Sequence, residues 1–260
     1  MTTDPWTSGP LTERATCLLA PNPGVMTLEG TNTWVLREPG STDVAVVDPG
    51  PDDDGHLAAV LEAATAEGGR VTQVLLTHHH RDHTAGVARL VEASGAPVRG
   101  GGHGDAFRDG ERIAVGGLAV EVVATPGHTS DSVSFLVAAD RLLLTGDTVL
   151  GRGTTVIAGD GDLGDYLRSL SALRALVGDG AVERLAPGHG PAVDDPDEFL
   201  TGLQEHRTSR LEEIRAAVQA GAVGIEGLVD AVYGPIAADR RWAAAHSVRA
   251  QLDYLGIHPG

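Results

Sequence analysis

Residues 77–83 read THHHRDH, and within that run His78, His80, Asp82 and His83 place four metal-binding side chains inside six residues. No other stretch constrains the fold as tightly. Imidazole nitrogen and carboxylate oxygen are the donors that zinc and similar borderline cations prefer, and so short a segment cannot hold them apart. The outer histidines do not stand at the i, i+4 spacing of a helical HExxH site, so the cluster belongs on a loop. Stacking these groups without a cation would bury repelling or unsatisfied side chains.

The flanks predict how that loop is mounted. Val71–Leu76 (VTQVLL) is a short, branched, apolar run with the pattern of a buried strand. Beyond the cluster, Ala85, Val87, Ala88, Leu90 and Val91 recur at helical spacing until Gly95. Asp82 and His83 therefore fall at a helix start, where free N–H groups steady a carboxylate. His79, in the intervening position, reads as an exposed or hydrogen-bonding bystander. Three later segments repeat the order strand, glycine turn, ligand: EVVATPGHT with His128, LLLTGDT with Asp147 and RLAPGHG with His189. An earlier one, VAVVDPG, ends in Asp48 without a neighbouring histidine. Singly, each could be an ordinary strand-end turn; with THHHRDH they form five ordered stations.

In these stations the chain resembles the metallo-β-lactamase superfamily, from about Gly30 to about Val193. GTNTWVL at Gly30–Leu36, GRGTTVI at Gly151–Ile157 and PGHGP at Pro187–Pro191 look most like the lactamase-beta-like protein two subfamily. EHRTSRLEEI and LVDAVYG resemble the C-terminal tail of the same group. The resemblance implies an α/β fold, a four-layer αββα sandwich over residues 1–195 with its metal site at one edge between two sheets. A small helical, winged-helix-like domain would occupy 196–260, with little room for a wing. Carried over residue by residue, His78, His80 and His128 would hold one ion. Asp82, His83 and His189 would hold a second, and Asp147 would bridge the two. Asp48 would be no ligand but would orient the loop or a ligand from behind. Asp82 and Asp48 are thus the expected catalytic carboxylates.

The implied cofactors are two divalent metal ions, zinc by default on donor type, although iron and manganese suit the same set. Two cations roughly 3.5–4 Å apart acidify a water from about 15.7 toward about 7, so a metal-bound hydroxide can attack a carbonyl or phosphoryl centre. The expected function is a metal-dependent hydrolase acting on a small-molecule thioester or ester. The alternative is an endoribonuclease cleaving single-stranded RNA, which other members of the resembled subfamily are. Asn32, inside GTNTW, is an expected substrate contact. Thr154 and Thr155 could orient substrate or cap a turn. His103, in the glycine-rich GGHGD loop, is a weaker expected contact.

Absences narrow the field. Cys17 is the only cysteine, so a cysteine zinc site and an intramolecular disulfide are excluded; it reads as a small apolar filler. Every basic residue is Arg, which removes lysine Schiff-base chemistry, a phosphate-loop lysine and a Ser/Lys dyad. No flavodoxin-like or rubredoxin-like segment follows, so no redox partner is expected. MTTDPWTSGPLTERAT has no apolar leader core and no run reaches membrane-spanning length; a cytoplasmic address and no membrane partner are expected. Aromatic residues make up only 3%, so the core should be small and aliphatic. The net charge of −17 disfavours non-specific nucleic-acid binding.

From Asp194 the texture becomes helical after the charged break DDPDEF, over Phe199–Ala220, Gly224–Tyr233 and Ala237–Leu255. Leu200, Leu203, His206 or Arg207, Leu211, Ile214 and Val218 share one face of the first helix. Arg207, Arg210 and Arg215, with Arg240, Arg241 and Arg249 later, alternate with Glu205, Glu212 and Glu213, which predicts a solvated, salt-bridged face. The helices are expected to wall the active-site cleft.

Overall fold

The computed structural model describes residues 6–258. Part of the N-terminal stretch read above, residues 1–5, and residues 259–260 lie outside the described residues. The strands are β1 (Gly9–Pro10), β2 (Ala15–Leu19), β3 (Asn32–Arg37), β4 (Asp43–Val47), β5 (Arg70–Leu75), β6 (Val98–Arg99), β7 (Arg112–Val115), β8 (Leu118–Ala124), β9 (Val133–Val137), β10 (Leu142–Gly146) and β11 (Arg184–Pro187). The helices are α1 (Asp54–Thr65), α2 (Arg81–Thr84), α3 (Val87–Ser94), α4 (Leu163–Gly178), α5 (Pro196–Gln219), α6 (Gly224–Tyr233) and α7 (Ala238–Leu255).

Strands β1 to β6 pair in chain order as one sheet, and the second runs β11-β10-β9-β8-β7. Direct connections join antiparallel neighbours; the parallel pairs β4·β5, β5·β6 and β10·β11 are bridged by α1, by α2 with α3, and by α4, as parallel strands require. Alternation along β4 explains the layering: Ala45 and Val47 face the second sheet, while Val44 and Val46 face α1 and α3. Between the sheets Leu36, Leu75 and Trp34 pack with Val120, Phe135 and Leu144. The outer face of the second sheet meets α4 and α5 through Leu143, Leu185, Tyr166, Leu170 and Leu200. The result is the expected αββα sandwich with a helical C-terminal region. Ile214, Leu228, Val248 and Leu252 give α5, α6 and α7 a cluster of their own. No strand follows Pro187 among the described residues, so the winged-helix-like tail has helices and no wing.

Trp34, Phe135 and Tyr166 are fully buried amid Val and Leu, whereas Trp242 and Tyr254 are exposed. Helix starts follow capping chemistry. Asp53, Asp162 and Asp195 each accept a backbone N–H of the first turn of α1, α4 and α5. No helix among the described residues is long and apolar enough to cross a membrane.

Candidate metal centre

The strand ends bring the five stations to one edge of the sandwich. β5 delivers Thr77 and His78, and α2 begins at Arg81 with His80 as its N-cap, so Asp82 and His83 lie in its first turn as expected. Asp48 follows β4 with φ 52°, in the left-handed region that Asp tolerates better than most residues. What holds it there is a fan of bonds: Thr77 N donates to Oδ1 at 2.8 Å and Thr77 Oγ1 to Oδ2 at 2.6 Å. Oδ2 also lies 2.9 Å from His83 Nδ1. Asp48 therefore ties the β4 turn to the β5 turn and fixes one imidazole.

Three groups of candidate ligand atoms lie within 4.8 Å of one another: His78, His80 and His128; Asp82, His83 and His189; and His78, His83 and Asp147. In the first, His80 Nδ1 is 3.2 Å from His78 Nε2 and 3.0 Å from His128 Nε2. In the second, His83 Nε2 and His189 Nε2 are 3.2 Å apart, and Asp82 Oδ2 is 3.2 Å from His189 Nε2. Asp147 stands between them, its oxygens 3.4 Å from His83, 3.4 Å from His189 and 3.7 Å from His128. Every sequence-predicted ligand is thus brought together.

The rear ring nitrogens are committed elsewhere. His128 Nδ1 donates to the Val156 carbonyl at 2.9 Å and His189 Nδ1 to the Gly30 carbonyl at 3.1 Å. His83 Nδ1 donates to Asp48. His78 Nδ1 meets Thr77 Oγ1 at 3.0 Å. These bonds set the tautomers and aim the front lone pairs inward. The inward-facing nitrogens of His83 and His189 stand 3.2 Å apart, a contact that takes either a shared proton or a bound cation. Asp147 Oδ1 is buried with no hydrogen-bond partner. The donor set, imidazole and carboxylate around orphaned inward-facing atoms, fits divalent cations.

Around the carboxylates, electrostatics describe the same demand for positive charge, while His78 and His80 are kept neutral. Burial opposes protonation of His83, but Asp147 and Asp48 outweigh it and hold its pKa well above the usual histidine range. Burial likewise opposes His189, yet Asp147 and Asp82 lift it to about 9. Burial works against the Asp147 carboxylate, which His189 and His83 nonetheless hold well below its usual value. His78 is pushed well down by burial and then by the neighbouring His83. His80 is lowered by burial and by His128.

Close approach demands glycine at Gly188: a Cβ there would stand 2.5 Å from Asp147 Oδ1 and 2.7 Å from His83 Cε1. Thr77, the hinge of the Asp48 fan, was not singled out in the sequence, although it directly precedes the histidine run. His79 is exposed and reaches Asp131 at 2.8 Å, the bystander position expected of it.

Several expected contacts are placed differently. Asn32 is fully buried and absent from the cleft; its amide donates to the carbonyls of Pro187 (2.9 Å) and Gly190 (2.8 Å), and its oxygen accepts from Trp6. It holds the His189 turn rather than substrate. Thr155 is buried and donates to the Asp147 carbonyl at 2.7 Å, the turn-capping alternative, whereas Thr154 is exposed on the cleft wall. His103 lines a different cleft with Phe107 and Asp131. Arg207 is not on a solvated face: it is only 4% exposed and bonds the Thr155 carbonyl. Its place in the apolar stripe between Leu203 and Leu211 was the signal. Arg210 and Arg241 do pair, with Glu213 and with Glu226 and Asp230. Cys17 is the buried filler expected, its thiol pushed up to about 12 by burial.

A cleft of about 930 Å³ opens on the centre, with His128 and Asp147 in its wall. Thr154 and Val156 continue the wall after β10, and α5, α6 and α7 close it with Arg207, Tyr233 and Gln251.

The model of the metallo-beta-lactamase superfamily matches residues 26–111 and 98–189. The chain is 33% identical over 216 residues to a beta-lactamase-like protein 2 homolog of Caenorhabditis elegans, covering 78% of this chain and 70% of that one. It is 32% identical over 249 residues to an atrochrysone carboxyl ACP thioesterase of Aspergillus fumigatus, covering 88% and 76%. Among solved structures, a metallo-beta-lactamase family protein of Thermus thermophilus superposes with a TM-score of 0.77 at 24% identity, covering 95% and 94%. A beta-lactamase domain protein of Burkholderia ambifaria gives 0.82 at 21%, covering 98% and 90%.

Proposed function

Starting from the premise that this chain belongs to the metallo-beta-lactamase superfamily and is a metallohydrolase of that fold, we propose that it hydrolyses a thioester or ester carbonyl with two divalent cations, zinc by donor type. The observation that carries the reading is the pair of inward-facing ligand sets meeting at Asp147, in the wall of a cleft of small-molecule size. The relative named a thioesterase supports the carbonyl substrate.

His78, His80 and His128 are assigned to one ion, Asp82, His83 and His189 to the other, and Asp147 to both. When bound, such a pair supplies a nucleophilic water at neutral pH and polarises the carbonyl oxygen. The chain's own residues do the rest. Asp48 and Thr77 lock the His83 ring, so its lone pair needs no reorganisation during the reaction. Asp147 contributes negative charge that burial cannot disperse. Asp82 is the most open carboxylate of the set, its side chain 31% exposed, and can orient a water that carries a proton toward the leaving group. In the overall change a carbonyl C–O bond forms, the C–S or C–O bond breaks, and the proton from water reaches the departing sulfur or oxygen. Residues 1–195 would form the catalytic domain, and 196–260 a helical domain closing the cleft.

The test is a panel on metal-loaded protein: a generic thioester, a lactone, a bis-nitrophenyl phosphodiester and a labelled single-stranded RNA, each beside an Asp147→Asn control. Thioester or lactone turnover lost in the control is the expected result. Cleavage of RNA alone, absent in the control, would replace the carbonyl reading with a nuclease.

A further inference from the structure

The cleft wall is out of character for this chain. Acidic residues outnumber basic ones by 36 to 19, yet the wall carries Arg152, Arg207, Arg210 and Arg240 against a single carboxylate, Asp147. Arg152 and Arg210 are balanced by Glu29 and Glu213. Neither Arg207 nor Arg240 has a carboxylate partner among the described residues.

Arg207 is the telling member. Its guanidinium is buried, bonds the Thr155 carbonyl and lies 4.9 Å from the centre of the Tyr166 ring, but its Nε has no acceptor. A buried cation without a counter-charge is among the costlier arrangements a fold can keep, because desolvation is not offset by an ion pair. On the same wall Gln251 Oε1 is buried with no donor. The wall therefore lacks an anion and, elsewhere in the same lining, an N–H or O–H. His206, which also lines the cleft, is held below the usual histidine range by burial and by Arg207 and Arg210, as expected where the local potential is positive. Much of the remaining lining is apolar and accessible: Val25 and Met26 are 47% and 44% exposed.

We infer that the arginine-bearing wall is a binding site for an anionic group, carboxylate or phosphate, on the part of the substrate remote from the scissile carbonyl, with Arg207 and Arg240 as its specificity-determining residues. The inference rests on the carbonyl-hydrolase reading and names the class of ester or thioester that fits: one with an apolar portion, a hydrogen-bond donor and an anionic end. A volume of about 930 Å³ accommodates all three. A polynucleotide would need a basic track continuing over the surface, and a chain of net charge −17 opposes it.

The test reads binding rather than turnover, so it stands or falls separately from hydrolysis. Three amide-for-thioester analogues with one acyl chain and a carboxylate, phosphate monoester or methyl ester end are titrated calorimetrically into zinc-loaded protein. One charged analogue should bind at least about tenfold more tightly than the methyl ester, and which one does so identifies the anion. Arg207→Gln and Arg240→Gln should each remove most of that preference. Arg249→Gln, on the same helix as Arg240 but outside the cleft, should keep it. Arg240 is exposed, so its variant remains informative if the buried Arg207 variant fails to fold. Equal binding of all three analogues overturns the inference. So does a preference that survives Arg240→Gln, or a single-stranded oligoribonucleotide that binds more tightly than either charged analogue.

Discussion

Asp48 governs the centre through its neighbours: two bonds to Thr77 and one to His83 engage both of its carboxylate oxygens. Asp48→Ala should therefore weaken metal binding about 10- to 100-fold, the usual effect of losing such a support. His79→Ala should leave affinity nearly unchanged, because that exposed ring bonds Asp131, faces Asp160 and meets the metal-centre residue His80 only edge-on, at 5.1 Å between ring centres. Competition against a chelator measures both, and an Asp48→Ala variant that binds like the parent would remove Asp48 from the account. Gly188 gives a steric counterpart. Its Cβ would meet Asp147 Oδ1 at 2.5 Å, so Gly188→Ala should lower kcat by about 10²-fold while the folded near-UV spectrum persists. Unchanged kcat would mean that Asp147 can move without consequence. These roles were only half legible. THHHRDH and the glycine turns announce their ligands locally, whereas the Thr77 fan becomes visible only once β4 and β5 are paired.

Helix α1 carries a buried His56, held below the ordinary histidine pKa by burial, with Asp53 opposing. A lowered folded-state value means that the unfolded chain takes up the proton first. This contribution is absent above about pH 6.5, and stability falls as pH drops below it. Between about pH 7.5 and 5.5, His56→Gln should therefore lose less stability than the parent in denaturant titrations. Equal losses would contradict the assignment. Helix α5 starts on Asp195, whose side chain accepts from Glu198 N, and Asp195→Ala should cost about 1 kcal/mol of unfolding free energy. No loss would show that Pro196 alone starts the helix. The sequence places α6 at its observed bounds and starts α5 three residues late, because DDPDEF reads as a break while its Asp and Pro are the cap and first turn. Arg207 resisted the same reading: charge spacing along α5 suggests solvent, but its partners lie on α4 and in the loop after β10.

At the scale of the molecule, strand alternation and ordered stations made the two sheets and their shared edge readable. Contacts between distant segments were not. Asn32 bonds carbonyls more than 150 residues away, and no local pattern separates that scaffold role from contact with substrate. The cleft is likewise assembled from the loop at Val25 and Met26, the turn after β10 and the C-terminal helices, so its arginine wall exists only in three dimensions. What unites these scales is the claim that two ligand sets joined by Asp147 form one hydrolytic centre. The most direct measurement is a zinc titration of chelator-stripped protein, with bound metal and thioester hydrolysis read in the same samples. Turnover should be absent at the start and reach its maximum as about two equivalents bind per chain, with Asp147→Asn binding less and staying inactive. Full turnover in stripped protein, or no zinc bound at saturation, would contradict that claim.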